Sequence, residues 1–138
     1  MQRILTLHFL HIFVPMKYFF RVLFSVYIVL ILWVSLNPSS GITRLGINES
    51  SYRVDYFLHA IAFLVLPIIA YFSSSDNKKR KFWWILIAIS VVIAIGTEFL
   101  QNFVPDRTFN PLDILSNLSG LFIGIILVTL YQKIKKQK

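Results

Sequence analysis

Four long apolar runs, at about residues 19–36, 54–72, 82–100 and 112–131, constrain this chain more than any other feature. Each approaches the roughly 20 residues that a helix needs to cross the hydrocarbon core of a bilayer. The chain is 57% hydrophobic and 14% charged, with a mean hydropathy of +0.69, outside the range of a soluble domain. The expected fold is all-α, an integral membrane four-helix bundle. With 138 residues, little chain remains for a separate soluble domain, and no 20- to 50-residue period suggests a repeat. Absence of cysteine excludes disulfides and thiolate metal sites.

The formal charge of +8 is a topology signal. Eleven of the 14 basic residues fall in three clusters: Arg3, Lys17 and Arg21; Lys78 to Lys81; and Lys133, Lys135, Lys136 and Lys138. If the helices alternate in direction, all three clusters share a side, which the positive-inside rule makes cytoplasmic. Both termini are then inside (N-in/C-in), and residues 37–53 and 102–111 face outward. Anionic lipid headgroups are the natural partners of these clusters. No nucleic-acid partner is expected, because no basic stripe with interleaved stacking aromatics occurs in a soluble segment. Trp83, Trp84 and Tyr131 are expected at the inner interface and Trp33 near the outer one.

Residues 1–16 read as an N-terminal extension to the domain at 17–138. "MQRILTLHFLHIFVP" is too short to span, and "MKYFFR" looks like a second start. Either Met16 is the initiator or the extension lies on the inner surface, with His8 and His11 facing water. The first helix is expected to be retained, since "SLNPSSG" after it is a turn and not a small-residue cleavage site.

Polar residues inside the apolar runs gather at one end. Glu98 and Gln101 are three apart near the end of the third run, while Asp113 and Asn117 near the start of the fourth, and Asp55 and His59 near the start of the second, are four apart. Residues three or four apart share a helix face. With alternating helices all three pairs reach the outward end, where "PDRTFNP" also places Arg107. An ionisable group costs roughly 2.5–3.5 kcal/mol at mid-membrane and usually turns toward the bundle interior. The expectation is therefore a polar cup under the outer surface.

Simpler roles exist for each residue taken singly. Asn110 can cap the fourth helix, with Pro111 first inside it and Asp113 a first-turn acid; Asp55 can play the same part in the second. His59 can simply bond a neighbouring helix. Glu98 near a helix C-terminus opposes the macrodipole and calls for a partner, Arg107 or His59. Gln101, Asn117 and Arg107 can frame it. Gly120 and Gly124 continue the face of Asp113 and Asn117, so close helix packing is expected there, with Ala62 doing the same below His59.

"DYFLHAIAFLVL", "GTEFLQNFVPDRTFNPLDILSNLSGLFIG" and the "SLNPSS" turn together resemble the VanZ-like family of small membrane proteins, named for a protein associated with teicoplanin resistance. The likeness covers about residues 17–131. Its recurrent polar positions are Asp55, His59, Glu98, Gln101, Arg107, Asp113 and Asn117; Tyr56 stands where the family commonly has Lys. The resemblance implies a multi-pass protein of the bacterial cytoplasmic membrane linked to glycopeptide resistance.

Three functions are compatible with these residues. The first is binding of a lipid-linked envelope precursor or a glycopeptide, with the Arg107 fork on phosphate or carboxylate. The second is an intramembrane enzyme acting on a lipid phosphate, with Glu98 or His59 as general base, Asp55 orienting His59 and Arg107 stabilising charge. In a variant of it, Asp55, His59, Glu98 and Asp113 hold a divalent ion. No HExxH, cysteine or elbow serine is present, so no metal is assigned and the cofactor is unknown. The third is a structural scaffold in which the polar cup is an ion-paired plug.

Overall fold

A computed structural model of the chain describes residues 16–37, 51–74, 79–105 and 109–137, with the side chains of 51–55 and 79–80 outside that description. The described residues form four helices and no strand: α1 (Met16–Leu36), α2 (Ser51–Ser73), α3 (Lys79–Gln101) and α4 (Pro111–Lys136). All four are long and apolar enough to cross a membrane. Each extends beyond its apolar run at one or both ends. The clearest case is α4, whose last turn carries Lys133, Lys135 and Lys136, cations that favour the negative end of the helix dipole.

Lipid replaces water as the outer solvent, and the distribution of side chains follows. Val22, Val26, Val29 and Trp33 of α1 are exposed, while Phe24 and Ile31, seven residues apart on its other face, are buried. The buried core joins those two to Phe63, Leu66 and Ala70 of α2, Trp83, Ile87 and Ala94 of α3, and Leu121 and Val128 of α4. Serine and threonine hydroxyls inside the bundle bond back to their own helices: Ser90 to the Leu86 carbonyl and Thr97 to that of Ile93. Such bonds satisfy these two hydroxyls within their own helices.

The most extensive interface is between α2 and α4, and its cause is the pair of glycines on α4. A Cβ at Gly120 would strike the carbonyl of Ala60, and one at Gly124 would strike the carbonyl of Leu64 and crowd the Pro67 ring. Close backbone approach of this kind is how small residues drive association in lipid. Ala62, expected on a close-packed face, meets α1, where the Tyr27 hydroxyl donates to its carbonyl at 3.0 Å. Ala60 is the α2 residue that meets Gly120.

At the end of the bundle away from these polar pairs, α1, α2 and α3 are tied together by Arg21. Its Nε donates to the Ser73 carbonyl at 3.3 Å, and its guanidinium lies 4.9 Å from the centre of the Phe82 ring. Trp83, expected as an interfacial residue, is 6% exposed and donates its indole N–H to the Pro67 carbonyl at 3.3 Å. Its neighbour Trp84 is exposed. One of the paired tryptophans therefore packs the bundle while the other faces outward.

Candidate functional site

Three helices deliver the polar cluster. Asn110 takes the N-cap of α4, its side chain accepting from the Leu112 N–H at 3.1 Å with Pro111 following. Capping therefore belongs to Asn110, and Asp113 is left to turn inward, where it is 6% exposed. Asn117, one turn on, is completely buried. Glu98 of α3 is also completely buried, and His59 of α2 is half-buried.

Asn117 is the hub. Its Nδ2 donates to the Ala94 carbonyl at 3.1 Å and to Glu98 Oε1 at 3.4 Å, while its Oδ1 lies 3.0 Å from His59 Nδ1. A backbone carbonyl can only accept, so the atom facing Ala94 is the amide nitrogen and the oxygen must face His59. His59 Nδ1 is then the donor. One amide thereby links α2, α3 and α4.

His59, Glu98 and Asp113 each offer a ligand atom within 4.8 Å of the other two. One Asn-framed constellation of an imidazole and two carboxylates thus replaces the looser cup that spacing suggested. Gln101 is 2% exposed, and its amide nitrogen reaches α1, donating to the Ser35 carbonyl at 3.4 Å. It anchors the end of α3 to the end of α1. The backbone of Asp55 belongs to α2, one turn before His59, but its side chain lies outside the described residues, as does Arg107 altogether.

Sequence spacing missed two contributors. The Ala94 carbonyl fixes the Asn117 rotamer, yet no side-chain pattern marks it. Asn102, just past α3, accepts from the Phe109 N–H at 3.2 Å and closes the turn leading to α4. Its polar side chain next to Gln101 was the available signal. At the other end a groove of about 740 Å³ is lined by Tyr71, Trp83, Trp84, Lys133 and Lys136 among others, so among the described residues these lysines and the Glu98 and Asp113 carboxyls occupy opposite ends.

These features define a multi-pass helical membrane protein with a buried polar constellation near one end of its bundle. The sequence matches the VanZ/LLP1 family over residues 5–132, and the chain belongs to that family. It is also similar to an uncharacterized protein of the fission yeast Schizosaccharomyces pombe, with 30% identity over 84 residues that make up 61% of this chain and 52% of the relative. The chain thus spans about half the length of that curated relative. No solved structure matches.

Proposed function

We propose that this VanZ-family protein binds the phosphate-bearing headgroup of a lipid or lipid-linked envelope precursor at the outward end of its bundle. The observation that carries this reading is the convergence of His59, Glu98, Asp113 and Asn117 from three helices onto one enclosed network. Polar groups in lipid are costly, and a gathered, oriented set is retained where it meets a polar ligand. Arg107, in the connection from α3 to α4, is the proposed phosphate contact, since its planar fork matches phosphate oxygens. Gln101 and Asn117 hold the helix ends that present it.

Binding is favoured over hydrolysis because Glu98 is completely enclosed, out of reach of a headgroup in this conformation. His59, half-buried, is the one of the two candidate bases with accessible surface. A role in glycopeptide resistance and a bacterial plasma-membrane location are the narrower form of the proposal. A similar chain occurs in fission yeast, so the broader lipid form is stated without the bacterial location.

The test is retention of a polyprenyl phosphate against the matching unphosphorylated polyprenol by the purified protein in nanodiscs, followed by native mass spectrometry. Preference for the phosphate, reduced at least tenfold in Arg107→Ala and partly kept in Arg107→Lys, is expected. Equal retention of both lipids by the wild-type protein overturns the reading. A growth assay under teicoplanin, with and without expression, decides the resistance form separately.

A further inference from the structure

We propose that His59, Glu98 and Asp113 form a mononuclear site for a divalent first-row transition ion of the zinc or manganese kind. The site stands on the same cluster as the headgroup reading but requires no headgroup.

Geometry comes first. Bonds of about 2.0–2.2 Å to nitrogen and carboxylate oxygen put donors on one ion up to about 4.4 Å apart. The three donor atoms here lie within 4.8 Å of one another, so a small side-chain rotation brings them onto a single centre. They come from α2, α3 and α4, and the close α2–α4 packing at Gly120 and Ala60 holds two of those helices at fixed separation.

The second, independent observation is the orientation of His59. Because Asn117 Nδ2 is committed to the Ala94 carbonyl, its oxygen accepts from His59 Nδ1, which makes Nε2 the ring nitrogen suited to ligation. An imidazole held by one nitrogen so that the other can ligate is the arrangement that metal-binding histidines show.

Ligand chemistry supplies the third step. One imidazole with two carboxylates suits zinc or manganese, whereas magnesium and calcium favour all-oxygen sites.

The full chain, purified in detergent and stripped with chelator, is equilibrated with Zn²⁺ or Mn²⁺, desalted and assayed for bound metal, with affinity read by competition against a chromophoric chelator. About one ion per chain is expected, weakened at least tenfold in Glu98→Gln, Asp113→Asn and His59→Ala and unchanged in Lys133→Ala at the opposite end. Helicity and gel-filtration profiles establish which variants are folded; Asp113→Asn, near the start of α4, is the variant to read if Glu98→Gln fails to fold. Wild-type binding no greater than that of a folded Asp113→Asn protein, as a shared proton or a purely structural cluster would give, overturns the site. Ion binding without phosphate-selective lipid retention removes the functional proposal alone, and retention without ion binding removes the ion site alone.

Discussion

The Asn117 side chain donates to the Ala94 carbonyl at 3.1 Å, and this one bond determines which way the polar cluster is wired. It forces the amide oxygen toward His59 and leaves the same nitrogen 3.4 Å from Glu98. Sequence spacing puts Asn117 and Asp113 on one face but cannot say which of them bridges the helices. The answer depends on a backbone carbonyl of α3.

Asn117→Ala therefore removes bonds to three helix partners at once and leaves buried acceptors behind. A cost of about 1–3 kcal/mol is expected for such a buried loss. Thermal unfolding in detergent should show it, and Asn117→Leu, which restores volume but no donor, should be no better. Wild-type stability in Asn117→Leu would mean that packing and not the amide holds the cluster.

Glycine contrasts give a sharper test of the α2–α4 contact. A side chain at Gly120 meets the backbone of Ala60, which cannot rotate away, whereas a Cβ at Gly96 meets nothing within 4 Å. Gly120→Val should destabilise by about 1–3 kcal/mol or more through overpacking. Gly96→Ala should be neutral or stabilising by up to about 1 kcal/mol, the usual gain of alanine over glycine in a helix. Equal effects in the same unfolding assay would contradict the close crossing.

Much of this architecture was legible because lipid imposes a simple rule: apolar runs of spanning length become helices, and their polar pairs turn inward. His59, Glu98, Asp113 and Asn117 followed from three- and four-residue spacing, and Asn110 with Pro111 from cap chemistry. What spacing could not supply was rotation of one helix against another. Ala62 and Ala60 are two residues apart and both small, so only the crossing of α2 and α4 decides that Ala60 meets Gly120. Composition marks both adjacent tryptophans alike, and the difference arises because Trp83 finds the Pro67 carbonyl.

Arg21 offers a test at the opposite end. Its guanidinium lies 4.9 Å from the centre of the Phe82 ring and its Nε bonds the Ser73 carbonyl, so it joins three helices through one side chain. Arg21→Ala should cost about 1–2 kcal/mol, combining a cation–π contact with a helix-end hydrogen bond. Arg21→Lys keeps the charge but loses the planar fork and should recover only part. Identical unfolding of all three proteins would show the contact to be without energetic consequence.

Orientation is the last test, and the absence of cysteine makes it clean. Basic clusters predict that both chain ends face the cytoplasm, which puts the turn after α3 outside. Phe103, in that turn, is 84% exposed, and Gln137 is an exposed residue just past α4. In intact cells a membrane-impermeant maleimide should label Phe103→Cys and reach Gln137→Cys only after permeabilisation. The reverse pattern would move the His59, Glu98 and Asp113 cluster to the cytoplasmic leaflet and exclude an extracytoplasmic headgroup as its ligand, while leaving the three donors as close together as before.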